Sequence, residues 1–183
     1  NWGAHWLDVI RMLLDLDLPD YVAGYGSPDM VQDAKEFPDT QTIMYHFSEL
    51  TMLWELRHWS RFMPGDGRGN CCEIDGDKGS MIIDRGGWTF HPRDNKAEVV
   101  KHESSPLEGP HAVNFAEAIR GNAKPTTPLE EGHKSAILCH LGNITARLNR
   151  GVKFDPTTQS VVGDAEGIAL MDRPYRAPWK HPV

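Results

Sequence analysis

The order of hydrophobic and polar residues predicts a helix at the start of the chain. Apolar residues recur there with the helical period, over residues 2–16. The predicted stripe consists of Trp2, Trp6, Val9 and Leu13, widened by Ile10 and Leu14. Pro19 ends the helical region, because proline cannot continue a helix. We therefore expect an amphipathic helix with this stripe toward the core.

The middle of the chain has the alternation and residue types that are typical of β-strands. The predicted strands are residues 20–27, 39–48, 50–60 and 97–101, with three short ones in the segments CCEIDGD, GSMIID and GWTFH. Asp75-Gly76 and Gly86-Gly87 are predicted turn dipeptides. The composition of residues 64–70, PGDGRGN, predicts a loop.

A helical period returns in the last third of the chain. Residues 110–120 predict a helix that ends before Gly121. Thr127 and Glu130 form a capping box for a longer helix, which Gly151 closes. Its predicted core stripe is Ile137, Leu141, Ile144 and Leu148, and residues 164–171 predict a last short helix. This order predicts an α+β fold, an open and mostly antiparallel sheet with helices packed on one face.

Composition and charge restrict the class of protein. The chain has 183 residues, 39% hydrophobic and 25% charged, which suits one folded domain. No apolar run approaches the roughly 20 residues of a membrane-spanning helix. The net charge is −7 and no concentrated basic surface is visible. We therefore expect neither nucleic acid nor a membrane as a partner.

The cysteines and histidines argue against a disulfide framework and against a metal site. Cys71, Cys72 and Cys139 are odd in number and include no C-x-x-C pair. His133 and His140 are seven residues apart, whereas a helical metal site uses i, i+4 spacing. Reduced thiols favour the cytoplasm, but export stays open because the native N-terminus is not seen.

The first helix carries a candidate acid–base group. Asn1, His5 and Asp8 lie at i, i+4 and i+7 and so share one helix face. A carboxylate one turn from a histidine could hold the imidazole tautomer and favour its protonated form. The alternative is an ordinary solvated polar face.

A second candidate lies on the strand LWELRHW. Glu55, Arg57 and Trp59 alternate onto one sheet face, where they could bind a polyhydroxylated ligand. The alternative is a solvated face with an ion pair. His111, at the head of its helix, is either a contact of the cap region or a site residue. The glycines of residues 65–70 do not form a dinucleotide fingerprint, because Asn70 replaces the third glycine and a predicted strand follows.

Several segments together resemble the C-terminal domain of the Gfo/Idh/MocA oxidoreductases. NWGAHWLDVIRMLL resembles the family helix with D-x-x-x-H-x-x-D, and EIDGDKGSMIID resembles its G-x-x-G hairpin. FPDTQTIMYHF and LTMLWELRHW resemble its paired strands. HAVNFAEAIRGNAKP, the segment from LEEGHKS to KFDP, and the YRAPW tail resemble its C-terminal part.

The resemblance implies roles for individual residues. His5 matches the histidine that serves as acid/base at the hydroxyl being oxidised, and Asp8 matches a carboxylate that contacts the substrate. Asn1 stands where an aspartate usually assists the histidine, so here an amide could orient His5 without adding charge. Glu55 and Arg57 fall on the sheet that faces either substrate or a partner subunit, and we include them with His111 as candidate substrate contacts.

The resemblance also implies what the chain works with. The family uses NAD or NADP, bound by an N-terminal Rossmann domain for which this chain has neither motif nor room. We therefore interpret residues 1–183 as a single substrate-binding and dimerisation domain, the C-terminal portion of a longer two-domain enzyme. The expected reaction is hydride transfer from a sugar, cyclitol or related polyol to nicotinamide. The expected assembly is a homo-oligomer through the open sheet face, with Trp59 buried there.

Two other functions stay open on the sequence. One is an NAD-dependent glycosidase or lyase of the same lineage, which would use the same His5. The other is a binding or dimerisation module without catalysis, motivated by Asn1 and by the missing cofactor domain.

Overall fold

The computed structural model describes residues 2–31, 33–35, 37–60, 69–106 and 108–180. Within these residues the elements are α1 (Gly3–Leu14), β1 (Tyr21–Ser27), β2 (Thr40–His46), β3 (Thr51–Arg57), β4 (Cys72–Gly76), β5 (Gly79–Asp84), β6 (Gly87–Pro92), β7 (Val100–Glu103), α2 (Glu108–Ile119), α3 (Leu129–Leu148), β8 (Val152–Asp155), β9 (Ser160–Val162) and α4 (Ala165–Ala169). The chain divides into two compact units, the first comprising Asn1–Trp59 and His133–Val183, the second Ser60–Gly132.

The first unit is built on a five-stranded antiparallel sheet in the order β3-β2-β1-β8-β9. Strands β1 to β3 form a meander, since Tyr21 pairs with His46 and that residue pairs with Thr51. Strand β8 then pairs with β1, with Tyr21 opposite Lys153. The sheet therefore joins segments from both ends of the chain.

One face of this sheet is buried and the other is open. Side chains alternate between faces along each strand, and the buried set is Val22, Ile43, Tyr45, Met52, Val152, Phe154 and Val161. The alternate positions include the exposed Tyr25, Leu53 and Val162. The predicted arrangement, an open antiparallel sheet with helices on one face, is confirmed.

Helix α3 lies close to the buried face because small residues face the sheet. The Tyr45 hydroxyl donates to the Leu138 carbonyl at 3.0 Å. A Cβ atom on Gly142 would stand 2.5 Å from that hydroxyl oxygen. On the sheet side, a Cβ on Gly24 would clash with Ile43 and lie 3.1 Å from Thr145. Glycines on both partners thus allow the helix and the sheet to approach closely.

Helix α1 packs against α3, and its buried face differs from the predicted stripe. The buried residues are Gly3, Trp6, Leu7, Ile10 and Arg11, whereas Trp2, Leu13 and Leu14 are exposed. A Cβ on Gly3 would lie 3.1 Å from the sulfur of Cys139, so the first turn is in close contact with α3. The predicted stripe is wrong at its ends, because the contact of Gly3 and the hydrogen bonds of Arg11 bury the side of the helix that carries Gly3, Leu7 and Arg11.

A buried carboxylate organises the segment before β2. Asp39 is 1% exposed and accepts backbone N–H bonds from Asp29, Met30 and Val31. Burial raises the pKa of this carboxyl, but the hydrogen bonds outweigh burial and lower the pKa to about 2. The charged form of Asp39 therefore holds this segment in place.

The second unit contains the four-stranded antiparallel sheet β4-β5-β6-β7. The β4–β5 turn is formed by Asp77 and Lys78, two residues after the predicted Asp75-Gly76, because Gly76 and Gly79 pair as strand residues. The rings of Trp88 and His102 stack across β6 and β7, with centroids 5.5 Å apart.

Several predicted boundaries shift in the structure. Helix α2 starts at Glu108, and Gly121 follows it with a φ of 78°, a left-handed conformation that glycine adopts readily. The first bonds of α3 run from Glu131 and Gly132 to the Pro128 carbonyl, one residue after the predicted cap Thr127. Strands β8 and β9 lack a sequence prediction, and most of the predicted loop 64–70 lies outside the described residues.

Candidate active site

Helix α1 carries His5 on its first turn. The backbone N–H groups of His5 and Trp6 donate to the Trp2 carbonyl, both at 3.1 Å. The His5 side chain is exposed. Its ring centroid lies 5.8 Å from the Trp2 ring, with the planes tilted by 58°. The imidazole is therefore accessible to a small molecule and flanked by an indole.

Asp8 lies one turn further along α1 and is half-buried. Its Oδ1 atom accepts a hydrogen bond of 2.5 Å from the Ser135 hydroxyl of α3. The oxygen of the same hydroxyl accepts a bond of 3.1 Å from Nη1 of Arg11. Asp8 is thus tied to a second helix, which an ordinary solvated face would not require.

Arg11 is the buried cation of this cluster. It is only 3% exposed, and a guanidinium is costly to bury unless its N–H groups find acceptors. Its Nε donates to the Asp17 carbonyl at 3.2 Å. Lys134 of α3 lies 2.7 Å from the Asp17 carboxylate, so an ion pair links α3 to the segment that follows α1.

Cys139 completes the contact between the two helices. Burial raises the pKa of its thiol, and the negative charge of Asp8 acts in the same direction. The thiol therefore stays protonated near neutral pH, which disfavours a role as a nucleophile.

Glu55 and Arg57 form an ion pair on the open face of the first sheet. Their Oε1 and Nη2 atoms are 3.0 Å apart. They pair with Thr42 and Thr40 of β2, and the Trp59 indole donates to the Thr40 hydroxyl at 2.9 Å. The predicted grouping of Glu55, Arg57 and Trp59 on one face therefore has a structural counterpart.

The structure separates the two candidate groups of the first unit. His5 and Asp8 belong to α1, which packs on α3, and α3 covers the face with Tyr45. Glu55 and Arg57 point to the other face, since they alternate with the covered strand positions. Within one chain, the sheet lies between them.

The remaining predicted site residues have different positions. His111 lies exposed on α2 in the second unit. Asn1 lies outside the described residues. The predicted roles of Asn1, His5, Asp8, Glu55, Arg57 and His111 stay predictions.

Arg11 and Ser135 were not predicted from the sequence. Arg11 could have been, because it lies three residues after Asp8 on the same helix. Ser135 could not have been, because it meets Asp8 only after α3 packs on α1.

A shallow groove of about 600 Å³ lies elsewhere in the first unit. It contains the cross-strand row of His46, Tyr21, Lys153 and Val162. Asp20 and Phe154 complete its lining, and Asp20 pairs with Nδ1 of His46 at 2.6 Å. The groove includes none of the site residues predicted from the sequence.

The chemistry of the α1 cluster fits proton transfer. An accessible imidazole beside a fixed carboxylate can act as a general acid or base.

Among the described residues, no group of three or more His, Cys, Asp or Glu side chains could hold a metal ion. None of the helices in the described ranges is long and apolar enough to cross a membrane.

The described residues do not fit a dinucleotide cofactor. A nicotinamide cofactor binds at parallel strands followed by helices, whereas both sheets of the described part of the chain are antiparallel. The strand predicted after Asn70 is observed as β4.

Solved structures share the fold. An oxidoreductase from Agrobacterium radiobacter in complex with NAD⁺, L-tartaric acid and magnesium is 16% identical, with a TM-score of 0.61, covering 84% of this chain and 48% of its own. An NAD-binding protein from Listeria innocua is 19% identical, with a TM-score of 0.61 and coverages of 84% and 46%. The WlbA dehydrogenase from Bordetella pertussis with NADH and UDP-GlcNAcA is 15% identical, with a TM-score of 0.53 and coverages of 85% and 44%.

The chain thus spans about half the length of the solved structures that it matches. No curated protein matches it in sequence. The model of the oxidoreductase family C-terminal alpha/beta domain, GFO_IDH_MocA_C2, matches residues 68–181, well over half of the chain. The chain therefore belongs to the Gfo/Idh/MocA oxidoreductase family and carries its C-terminal alpha/beta domain.

Proposed function

We propose that this chain is the substrate-binding and dimerisation domain of an NAD(P)-dependent oxidoreductase that acts on a sugar, cyclitol or related polyol. The observation that carries the proposal is the α1 cluster, with an exposed His5 one turn from a carboxylate fixed by α3. Two relatives of the same fold contain NAD⁺ or NADH together with L-tartaric acid or UDP-GlcNAcA. They support a small-molecule substrate.

In the complete enzyme, NAD(P) bound by a domain outside this chain would supply the hydride acceptor. The task of this chain is then the proton. His5 takes the proton of the substrate hydroxyl as the adjacent carbon loses hydride and the carbonyl forms. Asp8 accepts a hydrogen bond from a neighbouring substrate hydroxyl and thereby orients the ring. The amide oxygen of Asn1 can accept the N–H of the imidazole and so hold the tautomer whose other nitrogen takes the substrate proton.

The test is the turnover of the complete protein with His5→Ala. If His5 is the general base, kcat should fall by roughly 10²–10⁴-fold. His140→Ala is the matched control, because His140 is also an exposed helical histidine of the first unit. NADH or NADPH formation is followed with D-glucose, D-galactose and myo-inositol as probes.

Two results would contradict the proposal. One is an unchanged kcat in the His5→Ala enzyme. The other is a wild-type enzyme that reduces neither NAD⁺ nor NADP⁺ with any probe. Release of an aglycone from a glycoside without net NADH would indicate the glycosidase alternative instead.

The proposal also includes a homo-oligomer through the open face of the first sheet. Leu53, Tyr25 and Val162 expose 71%, 60% and 50% of their surface there. An open sheet face with exposed apolar side chains favours an interaction surface. Glu55, Arg57 and Trp59 lie on the same face, so in such an assembly they would contact the second copy.

A further inference from the structure

We infer that Ser135 and Arg11 are positioning residues, which act through Asp8 to orient the substrate. This inference rests on the proposed function, in which Asp8 contacts a substrate hydroxyl. It adds that α3, which carries no predicted catalytic residue, sets the geometry of the acid–base helix α1.

The direction of the hydrogen bonds in the cluster is determined by its chemistry. Arg11 can only donate and an ionised Asp8 can only accept. The Ser135 hydroxyl lies between them, 3.1 Å from Nη1 and 2.5 Å from Oδ1. Its oxygen must therefore accept from Arg11 while its hydrogen points to Asp8. A hydroxyl between a donor and an acceptor is held in one orientation.

This arrangement leaves half of the carboxylate for a ligand. Ser135 binds Oδ1 of Asp8, and the described residues give Oδ2 no hydrogen-bond donor. Asp8 is half-buried, whereas Ser135 and Arg11 are both 3% exposed. The buried side of the cluster is thus filled by protein groups, and Oδ2 belongs to its more exposed member, Asp8.

The groups behind Asp8 are held by further contacts. Arg11 is held from its other side by the Asp17 carbonyl at 3.2 Å. The close approach of Gly3 to Cys139 restricts sliding of α1 along α3. A displaced Ser135 would therefore break its bonds to Arg11 and Asp8 together, and the carboxylate would lose its fixed position.

The experiment is a double-mutant cycle in the complete protein. Ser135→Ala and Asp8→Ala are made singly and together, and KM and kcat are measured with the probe polyol that the wild type oxidises. The control is Thr145→Val, which removes another buried hydroxyl of α3, one that bonds the Gly142 carbonyl. Ser135→Thr keeps the hydroxyl, and Ser135→Cys serves if the alanine variant does not fold.

We expect Ser135→Ala to raise KM roughly three- to tenfold, the value of one hydrogen bond, with little change in kcat. Ser135→Thr should restore KM, and Thr145→Val should leave it unchanged. In the Asp8→Ala background, where Ser135 has no side chain at position 8 to orient, Ser135→Ala should have no further effect on KM.

The inference is overturned if Ser135→Ala raises KM equally in both backgrounds, or if Thr145→Val raises KM as much. An unchanged KM for both Ser135→Ala and Ser135→Cys would also overturn it. Failure of the proposed function looks different, because then His5→Ala leaves kcat unchanged whatever the Ser135 variants do.

Discussion

Replacing Gly142 by alanine should destabilise the first unit, although the same change normally stabilises a helix. The new Cβ would stand 2.5 Å from the Tyr45 hydroxyl oxygen, where a carbon–oxygen contact needs about 3.3 Å or more. Tyr45 cannot move aside easily, because it is 1% exposed and donates to Leu138. Burial also raises the pKa of its phenol far above the ordinary range, so the hydroxyl remains protonated.

The magnitude follows from two opposing effects. Overpacking of this kind costs about 1–3 kcal/mol, while glycine to alanine within a helix gains about 0.8–1.0 kcal/mol. Gly132→Ala on the same helix is the matched control, since a Cβ there has no neighbour within 4 Å among the described residues. The gain cancels between the two variants, so Gly142→Ala should be less stable than Gly132→Ala by about 1–3 kcal/mol.

The assay is urea denaturation followed by circular dichroism, with the free energy of unfolding compared between variants. Tyr45→Phe provides a second test, because it removes the clashing oxygen and leaves Ile43 and the ring at ordinary contact distances of 3.5 and 3.6 Å. In that background Gly142→Ala should become neutral or stabilising. Equal stability of Gly142→Ala and Gly132→Ala would refute the reasoning, and so would a loss of stability that persists in the Tyr45→Phe background.

Two other regions give separate predictions. The pKa of Asp39 is lowered from 3.8 to about 2, so its contribution to the free energy of unfolding is complete above about pH 4 and is lost as pH falls toward 2. Asp39→Asn should therefore be less stable than the wild type at pH 7. In acid titrations the variant should lose less stability than the wild type between about pH 4 and pH 2. The stability of the Asp39→Asn variant should still fall somewhat with pH because of Asp164, whose pKa is also lowered to about 2, mainly by Arg150. Equal slopes of stability against pH for the wild type and the variant would contradict this account. Leu53→Asp on the open face should weaken the homo-oligomer at least roughly tenfold by light scattering, whereas Leu129→Asp, exposed in the second unit, should not. A wild-type monomer at high concentration, or identical behaviour of the two variants, would contradict the proposed assembly.

Local patterns predicted the elements of the fold better than their faces. Strands β2 and β3 were predicted from their residue types, but the apolar run Met52-Leu53-Trp54 gave no sign that Leu53 would be exposed. The helix period located α1 but not its buried side. Arg11 looks polar in sequence, yet it is buried because Ser135 provides an acceptor.

Short strands and contacts between distant segments were not predictable in this way. Strands β8 and β9 have four and three residues, too few for a clear alternation. Strand β8 pairs with β9 next to it in the chain and with β1, near the other end of the chain. For the same reason the spacing of His5 and Asp8 was visible in the sequence, whereas the bond from Ser135, 127 residues away, was not.

The pairing of β1 with β8 has a consequence for how the protein forms during synthesis. Strands β1, β2 and β3 leave the ribosome before β8, and one edge of β1 has no partner until β8 is made, after the whole second unit. The second sheet needs only consecutive hairpins, and local pairings form faster than distant ones. The middle of the chain should therefore fold before the first unit closes, and until then the nascent chain exposes an unpaired strand edge that favours aggregation.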